Sequence, residues 1–490
     1  MINLKTLKQQ HFALLLSALS LGVFIMLAVF SEGSYGGADE LKQFKYAYNA
    51  FHNPELQSFL QGKQFYVLLT TPFAYFGLIG LRLFNVVLAV LTAYLTYRSA
   101  RLLGYQYAVL APVLVLFTPV YAIMVPTAMT EIAFSFILIL SIWLFIKNKF
   151  LWSALVLSFI PFIRNEGIVI LAVFALAFLM LKNYRSIPFL FIGFLLYSIT
   201  GALVFKDPLW IVHQVPYEGA ADIYGTGSIF RFCIHSDKIF GFILTGLILV
   251  GLFRFLWQLT GRGPSTDKAT KVTEGLVVIG SFIAYFAAHS FVWYAGIGSS
   301  LGLVRVMAAI VPAAVLVGIK GLDFFRILIE IKPWVKYVAF LIFTFFYIHL
   351  TMNIYTFPVK LGREEREIKK VVEWIDENAH QAPTIHYHND WLEYFFIQQG
   401  HNPERLKKRI PNVLYPAKNV TPGSLIIWDA HFSPNEGQLP LEALLNHDAY
   451  KLRTVIKPKV QFKTLGNELY SIYIFQKRNT DEEMQKASDE

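Results

Sequence analysis

The sequence predicts a polytopic α-helical membrane protein with a soluble α/β domain at its C-terminal end. Of the 490 residues, 55% are hydrophobic and 16% are charged, and apolar runs of about 20 residues recur, the length at which a helix crosses a bilayer. After Pro358 charged residues become more frequent and the apolar runs shorten. The chain is therefore divided into a membrane part, 1–357, an outer domain, 358–478, and a charged tail, 479–490, that we expect to be disordered.

About eleven apolar runs are predicted to cross the membrane. Lys and Arg collect in alternate loops, so the positive-inside rule places the N-terminus in the cytoplasm and the C-terminus outside. The net charge of +10 is therefore attributed to the loops that set the orientation in the membrane, and no nucleic-acid surface is expected. The first run lacks a clear small-x-small cleavage site and is predicted to be a retained helix. The predicted spans lie near 12–30, 80–100, 105–122, 131–146, 150–163, 167–181, 187–205, 239–257, 275–293, 303–319 and 336–356.

The first outer loop, 31–66, is predicted to contain a short helix on the membrane surface. Aromatic residues recur at helical spacing on one side of it, and Pro54 ends the pattern. The acid pair Asp39-Glu40 stands close to where the first span leaves the bilayer, so the helix is expected to hold two carboxylates at the rim of a cavity. Loop 206–238, rich in Gly, Pro and aromatic residues, is interpreted as a lid or a re-entrant segment.

Two charged residues stand at the outer ends of predicted spans. Glu131 begins the fourth span, either as a helix N-terminal carboxylate stabilised by the macrodipole or as a second acid that faces Asp39. Arg305 lies a few residues inside a late apolar run, where it needs an anionic partner. A lipid phosphate and an outer acid both suit a guanidinium.

Further polar groups fall on the same predicted face. Arg164 and Glu166 join two short spans and mark either a functional site or an ordinary interfacial ion pair. His289 lies within a span, where an intrahelical hydrogen bond is a commoner role for histidine than catalysis. The remaining candidates from the residue pattern are Lys63 and His213.

This set of outer acids and cations suits a substrate whose tail lies in the membrane and whose phosphate lies at its surface. A carboxylate can take the proton from an acceptor hydroxyl while Arg or Lys stabilises the departing phosphate. A transporter or lipid flippase is the alternative outside enzymes, because charges within the membrane also mark substrate paths. A polysaccharide polymerase or ligase is the alternative among enzymes.

The motifs in residues 31–103 follow a recognisable order: an Asp-Glu pair, a tyrosine-bearing helix, a Gly-x-x-x-Tyr stretch and an Arg-Leu that opens the next span. This order resembles the GT-C superfamily of lipid-linked-sugar glycosyltransferases, especially the bacterial relatives of protein O-mannosyltransferases and of aminoarabinose transferases. The Lys-Pro-Pro of the aminoarabinose transferases is replaced here by 68–72, Leu-Leu-Thr-Thr-Pro. The stretches concerned are Ala38-Asp39-Glu40, Tyr46, Tyr48, Gly62 to Tyr66 and Leu81 to Asn85, and more loosely Thr130-Glu131, Phe162 to Gly167 and Arg305 ahead of Pro312.

The resemblance implies a GT-C fold and an inverting transfer of a sugar from a polyprenyl phosphate to a hydroxyl of a glycan, lipid or protein. The reaction would take place at the outer face of a bacterial inner membrane, beside the membrane lipids. Asp39 would be the general base, Glu40 would position acceptor or donor, and Glu131 would be the second acid. No nucleotide-binding Gly-rich loop is expected in such an enzyme.

The same resemblance assigns the donor phosphate to basic residues. Arg305 would bind it, helped by Arg164 or Lys63. It leaves open whether a divalent cation, Mg²⁺ or Mn²⁺, bridges Asp39 and Glu131. Further substrate contacts are expected from Tyr66, Glu166, His213 and His289.

In the outer domain, two clusters lie near predicted strand ends. His386, His388 and Asp390 alternate along one segment, and Asp429 and His431 follow a second buried strand. Alternate strand residues share a face, so His-x-His can bind a metal, whereas strand ends in α/β domains more often dock a substrate, here the acceptor. The predicted elements are helices 363–379, 391–399 and 439–447 and strands 383–388, 424–429 and 469–476.

Overall fold

The computed structural model describes residues 4–53, 63–213, 220–260, 267–298, 300–324 and 333–479. The chain divides into two units, one of Met1–Ala221 with Gly225–Lys360 and one of Asp222–Tyr224 with Leu361–Glu490. The first unit is helical, and the second contains the sheet. Of the predicted disordered tail, all but Asn479 lies outside the described residues.

The part of the chain before the sheet is built from helices of very different length. Short 3-10 segments occupy Ala108–Leu110, Ile160–Phe162, Tyr184–Phe191 and Val304–Ile310, and a π-helical segment occupies Thr273–Gly280. In chain order the α-helices are α1 (Leu4–Phe30), α2 (Ala38–His52), α3 (Gln64–Ala74), α4 (Leu78–Leu102), α5 (Ala111–Leu116), α6 (Pro119–Met124), α7 (Thr130–Ile146), α8 (Phe150–Leu157), α9 (Gly167–Met180), α10 (Ile192–Val204), α11 (Trp210–His213), α12 (Ala220–Tyr224), α13 (Arg231–Ile234), α14 (Ser236–Ile239), α15 (Gly241–Leu259), α16 (Lys268–Val272), α17 (Ser281–Ala295), α18 (Val311–Leu322) and α19 (Pro333–Ile354).

Several of these helices are typical of a membrane-embedded protein. Within the described ranges, six are long and apolar enough to cross a bilayer: Gln9–Phe30, Leu78–Leu102, Tyr184–Val204, Gly241–Leu259, Lys268–Ala295 and Val304–Leu322. Four shorter apolar helices are Thr130–Ile146, Phe150–Phe162, Gly167–Met180 and Val338–Ile354. The long helices by themselves therefore number fewer than the eleven predicted spans.

The prediction of one continuous helix over 105–122 is wrong. This stretch forms a 3-10 turn followed by α5 and α6, each of which has a proline in its first turn. Thr118, the residue before Pro119, is extended, with φ −65° and ψ 130°. A proline ring disfavours helical geometry in the preceding residue, so the helix stops and restarts there.

Small residues let α15 and α18 pack closely. A Cβ on Gly251 would lie 2.1 Å from the carbonyl oxygen of Val317, and a Cβ on Gly321 would lie 2.2 Å from that of Leu247. The two backbones therefore approach to a distance that only glycine permits, which is a common way for helices to associate in membranes.

Helix α2 buries polar and apolar residues together. Tyr48 and Phe51 are each 44% exposed, and the buried residues are Glu40, Leu41, Gln43, Ala47 and Ala50. Burial of Glu40 brings the first acid pair into the helical unit.

The second unit contains a five-stranded sheet with strand order β2-β1-β3-β5-β4. β1 pairs in parallel with β2 and β3, and β5 pairs antiparallel with β3 and β4. Two edge strands, β2 and β4, were missed by the sequence prediction, because β2 is only three residues long and β4 has one buried residue. The predicted helix 439–447 is shorter than expected. The elements are α20 (Arg363–Asn378), β1 (Ile385–Tyr387), α21 (Asp390–Gln398), β2 (Leu406–Lys408), β3 (Leu425–Asp429), α22 (Glu442–Leu445), β4 (Tyr450–Ile456) and β5 (Ile472–Lys477), with a 3-10 turn at Pro403–Arg405.

Candidate functional site

A buried ion pair anchors α2 to α4 in the helical unit. Arg82 of α4 donates through Nε to Glu40 Oε1 at 2.8 Å and through Nη2 to Glu40 Oε2 at 3.2 Å. The same guanidinium donates to the carbonyl oxygens of Ser31 at 2.7 Å and Gly33 at 3.1 Å. Glu40 also accepts the backbone N–H of Ala128 at 2.8 Å and is 0% exposed. Both oxygens of Glu40 are therefore occupied, and this acid holds the loop in place.

Arg82 is a residue that the sequence prediction did not place in the site. In the sequence, it belongs to the Arg-Leu motif that opens α4. The signal was nevertheless present, because an arginine inside the apolar run LIGLRLFNVV needs an anionic partner.

Asp39, the neighbour of Glu40, has a different environment. It accepts a hydrogen bond from Arg305 Nη2, and Lys42 Nζ lies 3.7 Å from its other oxygen. Its side chain is 46% exposed. Burial opposes ionisation, but the charges of Arg305 and then Lys42 outweigh it and lower the pKa of Asp39. Arg305 also donates to the carbonyl oxygen of Gly36 at 2.7 Å, which fixes the turn before α2.

Glu131 lies between two guanidinium groups. Its Oε1 accepts from Arg164 Nη1 at 2.8 Å and is 3.9 Å from Arg305 Nε. Arg164 in turn donates through Nη2 to Glu166 Oε1 at 3.1 Å. Asp39, Arg305, Glu131, Arg164 and Glu166 thus form one run of alternating charge, which we call the acid–arginine chain.

The far end of the acid–arginine chain reaches His289 of α17. His289 is 6% exposed, and its Nε2 lies 3.6 Å from Glu166 Oε1, beyond hydrogen-bonding distance. Burial would raise the pKa of Glu166, but the charges of Arg164, His289 and Lys63 outweigh it and lower that pKa. Lys63, which precedes α3 in a left-handed conformation with φ 56°, therefore contributes positive potential to this end.

Tyr66 and Asn85 lie beside the acids. Asn85 donates through Nδ2 to the carbonyl oxygens of Thr127 at 2.7 Å and Met129 at 2.8 Å, which fixes the segment that leads into Glu131. The Tyr66 hydroxyl is buried and close to Asn85, but not at hydrogen-bonding geometry. Asn85 is thus a second positioning residue that the sequence prediction left out of the site.

Several buried polar atoms around this cluster make no hydrogen bond within the described part of the chain. Buried polar groups are normally satisfied, so a concentration of unsatisfied ones is typical of a place where a ligand binds. The atoms concerned are Gln43 Oε1, Gln64 Nε2, Tyr66 Oη, Glu131 Oε2, Arg164 Nε and His289 Nε2.

His213 is placed apart from this cluster. Its Nδ1 lies 2.9 Å from Asp207 Oδ2, and its side chain is 59% exposed. None of its described contacts involves the acid–arginine chain. The surrounding loop, 206–238, is largely helical where it is described, in α11 to α14, and its residues 214–219 lie outside the described ranges.

The residues suggested for a divalent cation do not fit one in this arrangement. Asp39 and Glu131 both contact Arg305, so a positive group already lies between them. Over the ranges that the structure describes, there is no group of three His, Cys, Asp or Glu side chains suited to a metal. We therefore derive no step through Mg²⁺ or Mn²⁺.

In the second unit, the histidines of the His-x-His segment have separate partners. His386 Nδ1 lies 3.0 Å from the carbonyl oxygen of Arg409, and His388 Nδ1 lies 3.0 Å from Ser433 Oγ. Asp390 pairs with Lys408. Burial, followed by the nearby positive charges, lowers the pKa of His388 to about 4. Each histidine is thus engaged by a different loop.

The second cluster of this unit joins Asp429 to a histidine and a glutamate. Asp429 Oδ1 accepts the backbone N–H of His431 at 3.1 Å and of Phe432 at 2.8 Å. His431 Nδ1 lies 2.8 Å from Glu364 Oε2. Burial raises the pKa of Asp429 to about 6. These contacts hold the turn after β3 against α20.

Comparison with known proteins assigns no family to the chain: no family model matches it, and no curated protein matches it. The resemblance to GT-C enzymes therefore stays a prediction. The site has to be interpreted from its own geometry, which combines three acids, two guanidinium groups and unsatisfied buried polar atoms.

Proposed function

We propose that the chain is an inverting GT-C-type glycosyltransferase that moves a sugar from a polyprenyl phosphate to an acceptor hydroxyl. The observation that carries the proposal is the acid–arginine chain, in which Arg305 bridges Asp39 and Glu131. A reaction of this class needs a base for the acceptor and cations for the departing phosphate. Both kinds of group are present in direct contact, beside buried polar atoms that have no hydrogen-bond partner among the described residues.

The proposal includes a topology and a location. About eleven crossings place the N-terminus in the cytoplasm and the second unit outside, in a bacterial inner membrane with the site at its outer face. In this scheme α5 and α6 together count as one broken crossing, and the four shorter apolar helices each count as one. Broken helices are tolerated in membranes where other protein groups surround the freed backbone.

The donor phosphate binds to Arg305 and Arg164. Guanidinium groups present paired donors that match phosphate oxygens, and Arg164 Nε has no partner within the described residues. The phosphate displaces Asp39 from Arg305, while Glu131 keeps both guanidinium groups aligned. Lys63 adds positive potential at the Glu166 end.

Displacement by the donor phosphate also activates the base. While Asp39 pairs with Arg305 its pKa is lowered, which makes it a weak base. Once Arg305 binds phosphate, Asp39 loses that partner and its proton affinity increases. Donor binding therefore precedes and enables activation of the acceptor.

The transfer is a single in-line displacement. Asp39 takes the proton of the acceptor hydroxyl, and the acceptor oxygen forms a bond to the anomeric carbon. The bond from that carbon to the phosphate oxygen breaks, and its electron pair stays on the polyprenyl phosphate, whose added charge Arg305 and Arg164 stabilise. Glu40 acts as a positioning residue for α2, and Glu166, His289 and Tyr66 contact the substrates.

The test is transfer of labelled sugar from a polyprenyl phosphate to membrane or periplasmic acceptors by the purified protein. We expect Asp39→Asn to abolish transfer, whereas Glu32→Gln, an exposed acid of the same loop, leaves it unchanged. Arg305→Ala is expected to weaken donor binding most. Full transfer by the Asp39 variant would remove the central claim. The size of the product separates a single transfer from a polymerase or ligase reaction.

A second candidate function, lipid transport, is favoured by one observation. Lys320 and Glu274 form a buried pair at 2.8 Å, and Tyr105 donates to the same glutamate at 2.8 Å. Arg305 and Lys320 lie near opposite ends of one helical segment, roughly 25 Å apart. Charged clusters at both ends of a span are expected along a substrate path. Translocation of a fluorescent lipid by reconstituted vesicles, lost in Lys320→Met while sugar transfer persists, would favour this function.

A further inference from the structure

A pocket of about 350 Å³ opens at one edge of the sheet in the second unit. Its wall is formed partly by the edge strand β2 and partly by the loop that leads to β3. Ile410 and Pro411 supply an apolar side. The polar residues that line it are Thr384, His386, Lys407, Lys408, Arg409, Asn419 and Thr421.

The pairing of β2 with β1 explains why a lysine of the edge strand lies beside His386. Lys407 is in register with His386 of β1, so both side chains belong to the same face of the sheet. Lys408 belongs to the other face, where it pairs with Asp390 at the start of α21. Lys408 also lines the pocket, but its ammonium group pairs with Asp390. Arg409 follows with φ 70°, and its backbone N–H donates to the Tyr387 carbonyl oxygen at 2.8 Å.

The pocket has an uncompensated positive charge. Lys408 is neutralised by Asp390, but Lys407 and Arg409 have no acidic partner among the described residues, and no Asp or Glu lines the cavity. Both side chains are exposed, so their charge is available to a ligand. A cavity that presents two cations and no acid selects for anions.

The floor of the pocket is polar and internally bonded. His386 is 4% exposed, and its Nε2 lies 3.3 Å from Thr384 Oγ1. The Thr384 hydroxyl donates to Ser424 Oγ at 2.7 Å. These contacts fix the hydroxyl and the imidazole in place, so the pocket keeps its shape without a ligand.

We propose that this pocket binds a phosphate group carried by a ligand about the size of a sugar phosphate. Two cations facing one cavity suit a doubly charged phosphate better than a single carboxylate. The volume is at the lower end of the range for small-molecule sites and exceeds what a bare phosphate fills. Ile410 and Pro411 provide the apolar surface against which a sugar ring or a glycerol packs. The inference is independent of the proposed glycosyl transfer.

The test uses the purified full chain in a neutral detergent. Binding of glucose 1-phosphate is measured by calorimetry. Glucose is the control without the phosphate, and inorganic phosphate is the control without the sugar. A parallel measurement uses detergent micelles that contain phosphatidylglycerol. Glucose 1-phosphate binding identifies a soluble sugar phosphate, and binding to the lipid micelles alone identifies a lipid head group.

The variants locate the binding. We expect Lys407→Gln/Arg409→Gln to weaken binding at least tenfold without changing the thermal midpoint. The matched control is Lys451→Gln/Arg453→Gln, which removes the same Lys-x-Arg pattern from the opposite edge strand β4 and is expected to leave binding unchanged. Arg305→Gln tests whether the acid–arginine chain contributes to the measured binding. It is expected to leave binding at the Lys407/Arg409 pocket unchanged. Absence of binding in both measurements, or equal binding by the Lys407/Arg409 variant, would overturn the inference.

Discussion

The two adjacent acids of α2 should contribute very different amounts to stability when each loses its charge. Glu40 is 0% exposed and receives two hydrogen bonds from Arg82 and one from Ala128 N. Asp39 is 46% exposed, with Arg305 and Lys42 as partners. The changes to compare are Glu40→Gln and Asp39→Asn, which keep size and remove charge.

The structure sets the size of each effect. Breaking a buried ion pair from one side costs about 3–5 kcal/mol, because the remaining charge stays buried without its partner. We therefore expect Glu40→Gln to lower the thermal midpoint by roughly 6–10 °C, at about 2 °C per kcal/mol. Partly exposed pairs contribute about 0.2–1 kcal/mol, so Asp39→Asn should lower it by about 2 °C or less.

The assay is thermal unfolding of purified protein in detergent, followed by the loss of the monodisperse peak in size-exclusion chromatography. Glu32→Gln is the matched control, since Glu32 lies in the same loop and is exposed. Equal midpoints for the Glu40 and Asp39 variants would refute the reasoning. So would a Glu40 variant that is as stable as the wild type but inactive in sugar transfer, because Glu40 would then act in the chemistry.

Three further predictions concern stability. Lys320→Met leaves the buried Glu274 carboxylate bonded to Tyr105 but without its cation, and should lower the free energy of unfolding by about 3–5 kcal/mol. Adding Glu274→Gln should restore part of that loss, and thermal unfolding measures both variants. Gly321→Ala should destabilise far more than Gly246→Ala in the same assay, because a Cβ on Gly321 would meet a carbonyl oxygen of α15 at 2.2 Å and one on Gly246 meets nothing within 4 Å. The pKa of His388 is lowered to about 4, so its folded state favours the neutral ring, and stability is lost as pH falls from about 6.5 to 4. Measured by denaturation at a series of pH values, the free energy of unfolding of the wild type should fall by about 3 kcal/mol relative to that of His388→Gln over that window. A difference between the two proteins that does not change with pH would contradict this prediction.

Sequence patterns predicted which charged residues would lie near one another better than they predicted the individual contacts. Apolar runs and the distribution of Lys and Arg placed Asp39, Glu131, Arg164 and Arg305 on one face, and these side chains contact one another. Which member of the Asp39-Glu40 pair is buried was not predictable. Neighbouring helical residues point about 100° apart, and only the position of Arg82 on another helix decides which one is enclosed.

Other differences have equally local causes. The broken stretch 105–122 contains Pro112 and Pro119, which an average over apolar residues does not register. The edge strand β2 reads Leu-Lys-Lys and has no alternation long enough to identify it. Its identity follows from the backbone pairing with β1, which depends on residues far away in the sequence.

The exposed aromatic residues of α2 have a consequence for the position of the whole protein in the bilayer. Tyr48 and Phe51 are exposed in the second half of the helix, whereas Glu40 in its first turn is buried and held to α4 by Arg82. The start of the helix is therefore expected to stay with α4 when the surrounding lipid changes. Aromatic rings prefer the headgroup region, so in thinner or thicker membranes the lipid around α2 has to adjust its local thickness to the protein. We expect the depth of Asp39 below the headgroups to stay constant across membranes of different composition.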